Sequence, residues 1–299
     1  MSALTLWRAQ TPVMRGVLLM CASTVFFAVM HTAIRHATGS LHPFEVAFFR
    51  NVFGLAFLVP LIIGGGVAQM RTQRMGLHAF RGLLNVIAML LFFSAVSFTP
   101  LAKVTALSFT APIFTAALSV LILGETFRLR RWAAIIIGFI GMLIILRPGL
   151  AEVDAGSLMV VASALLWAVV MIIIKFLSRT ETSVAITAWM AIFLSVYSLP
   201  PALMVWEWPT QADWFWLAFI GLSGSLAQVT LAQSLKETEP TAVLPFDFLK
   251  LIWAAILAAW LFGEIPDIYT WIGAAVIFTA GLYIAHRERT AQRASEPAH

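Results

Sequence analysis

The sequence predicts an all-α membrane protein whose ten transmembrane helices form two inverted five-helix repeats. Three observations support this fold class: a composition poor in charge, ten apolar stretches long enough to cross a bilayer, and an internal repeat. Of the 299 residues, 61% are hydrophobic and only 11% are charged, whereas soluble domains carry about 25% charged residues. Because such a chain cannot cover its own surface with polar side chains, we expect a lipid bilayer to surround it.

The ten predicted spans follow one another with short connections. A membrane-crossing helix needs about 20 mainly apolar residues, and the joints contain turn residues such as Gly64-Gly65-Gly66 and Pro148-Gly149. No connection is long enough to hold a soluble domain. The predicted spans are residues 14–36, 43–63, 77–98, 101–124, 132–147, 157–177, 184–206, 212–233, 240–262 and 268–285.

The basic residues predict an orientation. With the N-terminus in the cytoplasm, most of the 19 Lys and Arg residues fall in inner loops, and Arg35, Lys103 and Arg147 lie at outer helix ends. Such an excess is typical of cytoplasmic loops. We therefore expect a multi-pass protein of a bacterial-type inner (plasma) membrane with both termini cytoplasmic. The predicted parts are a cytoplasmic N-terminus (1–12), the first repeat (13–150), the second, inverted repeat (151–286) and a cytoplasmic tail (287–299).

The two halves of the chain share a residue pattern. Shifted by 140 positions, Ser23 of the first span meets Ser163 of the sixth; shifted by 139, Gly124-Glu125 meets Gly263-Glu264. Five spans per repeat is an odd number, so the second copy must cross the membrane in the opposite direction. Inverted repeats are typical of secondary transporters, which bind substrate near the midplane between the halves and open to each side in turn.

Other function classes lack their sequence motifs. The chain contains no Walker A pattern, no Gly-x-Ser-x-Gly and no His-Glu-x-x-His. Its single cysteine, Cys21, excludes an intrachain disulfide, and no metal-binding spacing occurs. The basic residues occupy short loops, which indicates membrane topology rather than nucleic-acid binding. We expect no catalytic residue, metal, cofactor or nucleic-acid partner; the expected partners are a small-molecule substrate and the bilayer.

The first and sixth spans carry a matched face that predicts one wall of a substrate cavity. Ser23, Phe27 and His31 lie at helical spacing, and Ser163 and Trp167 occupy the positions related to Ser23 and Phe27. Polar residues inside spans face protein or water rather than lipid. Aromatic helix packing is the alternative, and it would account for Phe27 alone. A buried indole N–H needs a partner, which favours the cavity for Trp167.

The fourth and ninth spans add hydroxyls and charges. Thr105 and Ser108 belong to a stripe of hydroxyls around Pro112, and helix packing through small residues explains it equally well. Asp247 and Lys250 lie three residues apart, where they can pair. They are candidates for binding the ammonium and carboxylate of a zwitterion, or Asp247 is a candidate for taking up a proton; a permanent structural ion pair is the alternative.

Two amides and three further charges complete the candidate set. Asn85 and Gln228 are candidates for hydrogen bonding to substrate, with interhelical bonding as the alternative. Arg50 lies within the second span five residues after Glu45, and we expect a structural or gating role for this pair. Arg81 lies at the inner end of the third span, where an inner gate or an anchor is expected.

A family resemblance follows from motifs across nearly the whole chain. These are Pro43-Phe44-Glu45 through Arg50, Arg81-Gly82, Pro112, and the two Gly-Glu pairs. With them the chain resembles the EamA-type branch of the drug/metabolite transporter superfamily. Leu166-Trp167-Ala168 is similar to the sixth-span pattern of the bacterial aromatic and neutral amino-acid exporters, in which the tryptophan faces the cavity. The resemblance implies a carrier, not an enzyme, that exports amino acids by alternating access.

Two other functions remain open at this point. The chain could carry another solute, such as a nucleotide-like cofactor, a riboflavin-like molecule or a drug. It could also be a non-transporting intramembrane enzyme or scaffold, although that function gives no reason for inverted halves. Ten spans suffice to enclose a cavity within one subunit, so a monomer and a homodimer are both consistent with the sequence.

Overall fold

The computed structural model describes residues 10–65, 70–123, 129–147, 154–177, 179–181, 183–238, 243 and 246–295. In these ranges the chain is helical and contains no β-strand. Eleven helices are defined there: α1 Pro12–Ala37, α2 Pro43–Gly65, α3 Met75–Phe98, α4 Leu101–Ser108, α5 Ala111–Leu123, α6 Leu129–Leu146, α7 Ala155–Leu177, α8 Ser183–Leu203, α9 Gln211–Glu237, α10 Leu249–Phe262 and α11 Ile268–Ser295.

Six helical segments are long and apolar enough to cross a membrane: Pro12–Ala37, Met75–Phe98, Leu101–Ser119, Ala155–Leu177, Ala185–Leu203 and Gln211–Glu237. Three further apolar helices are shorter: Trp132–Leu146, Leu249–Phe262 and Ile268–Tyr283. Many large apolar side chains remain exposed on the bundle, for example Ile136, Leu158 and Leu203. A soluble monomer rarely exposes so much apolar surface, so these side chains face lipid in a multi-pass membrane protein.

The fourth predicted span, residues 101–124, is formed by two successive helices, α4 and α5. The α-helical hydrogen bonding is interrupted at Phe109 and Thr110, although Phe109 keeps right-handed helical backbone angles. The amides of both residues donate to carbonyls three residues back, in tight turns, and Thr110 Oγ1 donates to Leu107 O at 2.7 Å. Pro112 explains the break, because proline has no N–H and its ring clashes with the carbonyl four residues earlier.

The ninth predicted span is interrupted at a related position. Phe248 is a turn residue, and the continuous helix α10 starts at Leu249. Phe109 and Phe248 lie 139 residues apart, and their rings contact each other with centroids 5.8 Å apart. Two helix interruptions therefore meet inside the bundle. Pro245, three residues before Phe248, lies outside the described residues.

The helices pack in pairs that are preserved when the two halves of the chain are exchanged. Helix α1 packs on α9 and α3 packs on α7; α2 packs on α8, and α6 packs on α11. In the two halves, α1 corresponds to α7, α2 to α8, α3 to α9 and α6 to α11. The α1–α9 and α3–α7 pairs are therefore equivalent, and the α2–α8 and α6–α11 pairs each join corresponding helices. The buried core of apolar side chains runs through these interfaces.

Glycines allow two further helix interfaces, α3–α8 and α2–α9, to close. A Cβ on Gly82 of α3 would lie 2.5 Å from Cβ of Phe193 in α8, and one on Gly221 of α9 would lie 2.4 Å from Cβ of Phe53 in α2. Gly82 and Gly221 are 139 residues apart, and Phe53 and Phe193 are 140 apart. The two close approaches thus repeat at the offsets found in the sequence.

Candidate functional site

An ion pair lies among aromatic rings beside the interruption before α10. Lys250 Nζ is 2.9 Å from Asp247 Oδ1, and the two side chains are 20% and 24% exposed. The ammonium of Lys250 also lies 5.3 Å from the ring centroids of Phe27 in α1 and Phe109 after α4. This is the distance of cation–π attraction. The structure therefore brings together the predicted residues Phe27, Asp247 and Lys250, and adds Phe109.

His31 extends this cluster along α1. Its ring lies 6.2 Å from that of Phe27 and 5.0 Å from that of Phe92 in α3. Its Nδ1 atom is buried and has no hydrogen-bond partner in the described part of the chain. Phe27 connects this imidazole to Lys250, whose ammonium lies over the Phe27 ring. We call Phe27, His31, Phe92, Phe109, Asp247 and Lys250 the central cluster.

Arg50 in α2 does not pair with Glu45 as expected. Its Nη1 donates to Asn51 Oδ1 at 3.1 Å. Glu45 is fully buried, and its Oε1 accepts from the backbone N–H of Glu207 at 2.9 Å. The two charges are therefore held separately: Glu45 ties α2 to the connection between α8 and α9, while Arg50 points along α2 toward Gly224 of α9, where an added Cβ would lie 3.4 Å from its Nε.

The matched serines connect helices in the structure. Ser23 donates to the carbonyl of Ala227 in α9 at 3.0 Å, and Ser163 donates to the carbonyl of Ala88 in α3 at 2.7 Å. Both serines are buried. Because the hydroxyl protons are used in these bonds, the geometry favours a structural role for the two residues.

The hydroxyls of the fourth span are also satisfied by backbone. Thr105 Oγ1 donates to Leu101 O at 2.8 Å, and Ser108 Oγ donates to Thr105 O at 2.7 Å. Such bonds to the preceding turn satisfy hydroxyls inside membrane helices. Both residues lie on α4, whose end at Ser108 borders Phe109 of the central cluster.

The remaining candidates lie outside these contacts. Asn85 is buried in α3, Trp167 is half-buried in α7, and Gln228 is exposed on α9. Arg81 is fully buried near the start of α3 and donates from Nη2 to Ile186 O in α8 at 2.6 Å. Eleven residues along α3 separate Arg81 from Phe92, which is about 16 Å of helix. Arg81 is therefore remote from the central cluster.

Sequence reasoning missed three ion pairs at one end of the bundle. They join Arg35 to Glu264, Lys103 to Asp154 and Arg147 to Asp267. Glu264 also accepts from the backbone N–H of Leu101 at 2.9 Å, which links the α10–α11 connection to the start of α4. The signal was available, because all three basic residues were predicted at outer helix ends. Glu125, the residue related to Glu264, lies outside the described residues.

Asp154 is the most heavily bonded carboxylate of this end. Burial acts to raise its pKa, but hydrogen bonds from Lys103 and Ser157 outweigh it and hold the pKa of Asp154 well below its usual range. Its partners are Lys103 Nζ at 2.6 Å, the backbone N–H of Ser157 at 2.8 Å and the Ser157 hydroxyl at 2.7 Å. Asp154 therefore stays ionised and caps the first turn of α7.

Comparison of the sequence with models of protein families identifies the family of this protein. The sequence model described as the EamA-like transporter family matches residues 14–147 and, separately, residues 154–285. This chain belongs to the EamA-like transporter family. It carries the family's domain twice, in agreement with the repeat in the sequence, and it is a multi-pass transporter of small metabolites rather than an enzyme.

Several relatives of this EamA-like protein have assigned substrates. The S-adenosylmethionine uptake transporter of Rickettsia bellii (strain RML369-C) is 35% identical over 251 residues, which are 84% of this chain and 86% of the relative. The riboflavin transporter of Rhizobium johnstonii (strain DSM 114642 / LMG 32736 / 3841) is 32% identical over 282 residues, or 93% of each chain. The riboflavin transporter of Vibrio cholerae serotype O1 is 30% identical over 286 residues, or 94% of this chain and 96% of the relative.

One solved structure supports the fold of the EamA-like chain. A protein crystal structure aligns with a TM-score of 0.62 and 18% sequence identity, and the alignment covers 94% of this chain and 99% of the other. None of the relatives described above is named as an amino-acid exporter. The expected resemblance to amino-acid exporters, and with it the prediction of export, has no support from them.

Proposed function

We propose that this protein is a secondary carrier that takes up a zwitterionic nucleoside metabolite of the S-adenosylmethionine type by alternating access. The observation that carries the proposal is the Asp247–Lys250 pair, which places opposite charges beside the rings of Phe27 and Phe109. S-adenosylmethionine combines an adenine ring and a sulfonium with an amino-acid end. Rings stack on bases and attract cations, while opposite charges match an ammonium and a carboxylate.

The substrate class follows from the chemistry of the central cluster together with the relatives. The amino-acid end of S-adenosylmethionine retains the zwitterion that Asp247 and Lys250 were expected to bind. The Rickettsia bellii relative is named for uptake of this molecule. In the proposal, Phe27, Phe92 and Phe109 contact the base, and Asp247 attracts the ammonium or sulfonium.

The other candidate residues also receive proposed roles. Ser23 and Ser163 hold α1 on α9 and α7 on α3, because their hydroxyls already bind backbone carbonyls. His31 and Trp167 line the aromatic side of the cavity. The hydroxyls of Thr105 and Ser108 accept hydrogen bonds at its edge, and the amides of Asn85 and Gln228 bind polar groups of the substrate. Arg81 anchors α3 to α8 at the inner end.

For the architecture, we propose ten spans in two inverted five-helix repeats. Four observations support it: the double family match, the preserved helix pairs, the Gly82 and Gly221 contacts, and the meeting of Phe109 with Phe248. The interruptions beside these two rings are points at which each half can bend. Rocking of the halves about the central cluster would open it to one side and then to the other.

We place the carrier in a bacterial inner membrane with both termini in the cytoplasm. The excess of basic residues in the proposed inner loops supports this orientation. The central cluster draws its residues from one chain, so a monomer suffices for transport, and a homodimer would contain two separate cavities. Residues 1–12 and 287–299 form the proposed cytoplasmic ends of the two repeats at 13–150 and 151–286.

Riboflavin is the second candidate substrate. Two of the relatives described above are named riboflavin transporters and align over more than nine-tenths of this chain. A flat isoalloxazine ring would also stack on Phe27, Phe92 and Phe109. Riboflavin has neither ammonium nor carboxylate, so it would leave the Asp247–Lys250 pair without a ligand.

Uptake into proteoliposomes separates the candidates. We expect saturable uptake of labelled S-adenosylmethionine by the purified protein, with little uptake of riboflavin or of free phenylalanine and threonine. Asp247→Asn should lower the initial rate by roughly 10- to 100-fold, the worth of a charge-assisted hydrogen bond. Glu237→Gln is the matched control, because this carboxylate pairs with Arg15 at 2.9 Å at the far end of α9.

Three results would change the proposal. Riboflavin uptake that is insensitive to Asp247→Asn would select the second candidate. Uptake of free amino acids alone would restore the amino-acid carrier. A folded, monodisperse protein that transports none of these molecules above empty liposomes would exclude all three substrate classes.

A further inference from the structure

Arg50 is a cation within a predicted span, and among the described residues it has no acidic partner. Asp247 is bound to Lys250, and the Glu45 carboxylate accepts from a backbone N–H. In the described ranges no carboxylate lies within 4.0 Å of the Arg50 guanidinium. A charged side chain inside a membrane is costly and normally faces a partner, a cavity or a functional ligand. The missing counter-charge of Arg50 therefore points to an anionic ligand.

The guanidinium of Arg50 is held in place. Nη1 donates to Asn51 Oδ1, and the Asn51 amide donates in turn to Leu194 O and Ser198 Oγ of α8, both at 3.3 Å. On its other side the guanidinium lies against Gly224 of α9, where even a methyl group would come within 3.5 Å of it. Three helices thus fix its orientation.

Most hydrogen-bonding capacity of this guanidinium is unused. Arginine carries five N–H donors in a planar fork, and in the part of the chain that is described one of them is used, by the bond from Nη1 to Asn51. Such a fork fits the two oxygens of a carboxylate. Lys250 is a weaker candidate for that anion, because Asp247 already occupies it and it presents only a point charge.

Arg50 also lies next to α1, the helix that carries Phe27 and His31. The Cβ position of Gly224 is 3.4 Å from Arg50 Nε and 2.7 Å from Sδ of Met30, the residue before His31. Gly224, against which Arg50 lies, is one turn from Ala227, the residue that binds Ser23 of α1. An amino-acid end held at Asp247 could therefore extend its carboxylate toward α2.

We propose that the guanidinium of Arg50 binds the substrate's carboxylate, while Asp247 receives its ammonium and Lys250 remains the partner of Asp247. This inference rests on the proposed function and assigns its anion subsite to α2 instead of α10. It explains why α2 carries an arginine within a span, and it makes the carboxylate of S-adenosylmethionine a determinant of selection.

The test compares two substrates in proteoliposomes: S-adenosylmethionine and its decarboxylated analogue, which lacks only the carboxylate. Arg50→Gln should raise the KM for S-adenosylmethionine by roughly 10- to 100-fold and leave the KM for the analogue within about twofold of the unmodified protein. The preference for the carboxylated substrate should disappear. Lys250→Gln is the matched comparison; it should impair both substrates alike, because it leaves Asp247 unpaired.

Arg50→Lys tests whether the effect of Arg50→Gln is purely structural. It retains the positive charge but not the fork, so we expect an intermediate loss for S-adenosylmethionine and none for the analogue. Equal losses for both substrates in Arg50→Gln and Arg50→Lys would overturn the inference, as would a loss of preference in Lys250→Gln alone. Unmodified protein that transports neither substrate would instead overturn the proposed function, and the inference with it.

Discussion

Asp154 shows how one side chain can join three elements of the bundle. It precedes α7, accepts from the backbone N–H and hydroxyl of Ser157, and pairs with Lys103 of α4. Thr99, which follows α3, also donates to it at 3.2 Å. The residue combines a helix cap with an ion pair, and both favour its ionised form. Because its pKa is lower in the folded than in the unfolded protein, the ionised carboxylate stabilises the fold.

We predict that Asp154→Ala lowers the free energy of unfolding by about 1 kcal/mol, the usual cost of a lost N-cap, with a small further loss from the partly exposed ion pair. Asp154→Asn keeps the cap and removes the charge, so it should lose less. Thermal unfolding in detergent measures both. An Asp154→Ala protein as stable as the unmodified one would contradict the capping role.

The same substitution has a pH signature. The folded protein holds the pKa of Asp154 below its unfolded value of about 3.9, so the carboxylate contributes its full stabilisation above that pH and loses it as the pH falls further. The stability difference between unmodified protein and Asp154→Ala should be constant from about pH 5 to 8 and shrink below about pH 4. A difference that shrinks at neutral pH would indicate another titrating group.

Among the helices, the contact between α3 and α8 depends on Gly82. A Cβ at this position would lie 2.5 Å from Cβ of Phe193. The Phe193 Cβ is bonded to the backbone, so side-chain rotation cannot move it away. Close approach through small residues is how membrane helices gain packing without a hydrophobic driving force. Gly221 allows the same close approach between α9 and Phe53 of α2.

We predict that Gly82→Ala destabilises the protein by about 1–3 kcal/mol through overpacking. Gly76→Ala in the same helix is the control, because a Cβ there meets nothing within 4 Å. That change should be neutral or should stabilise the helix by up to about 1 kcal/mol. Chemical unfolding measures the free energy of unfolding of both variants and so separates packing from helix propensity. Equal changes in the two variants would show that the contact with Phe193 does not contribute to stability.

The helices were largely predictable, since every predicted span contains a helix and most starts and ends agree within a few residues. Hydrophobicity locates a span but does not report a break inside it, so Pro112 was the sequence signal for the interruption at Phe109 and Thr110. Helix α11 continues to Ser295, beyond the span predicted to end at residue 285. The length of an apolar stretch indicates where a helix lies in the bilayer, but the helical hydrogen bonding can continue beyond it.

The candidate site was less predictable than the helices, because its contacts are long-range. Ser23 and Ser163 were placed on a cavity wall, yet their hydroxyls bind backbone carbonyls of helices far away in sequence. The Asp247–Lys250 pair was predictable from its local spacing. Phe92 joined the cluster only through tertiary packing against His31. Phe109 had one signal, its match to Phe248 at the repeat offset.

At the scale of the whole molecule, the two ends of the bundle differ in charge. The proposed outer end has its basic residues tied to acids, in the pairs of Arg35, Lys103 and Arg147. These pairs join α1, α4, α6, α7 and the approaches to α11, so they hold that end of the cavity together. Opening toward this side requires at least some of them to separate. At the other end, the described residues include the Arg15–Glu237 pair between α1 and α9, and exposed basic residues such as Arg74.

Inversion of the repeats predicts that two equivalent loops lie on opposite sides of the membrane. The α2–α3 and α8–α9 connections occupy the same place in the two halves, and the second contains Trp208, which is 80% exposed. In a Cys21→Ser background, a membrane-impermeant maleimide should label Trp208→Cys in intact cells and Gln73→Cys only after permeabilisation. Labelling of both positions from one side would exclude inversion, because parallel repeats place equivalent loops together. Labelling of Gln73→Cys alone in intact cells would keep the inversion but reverse the proposed orientation.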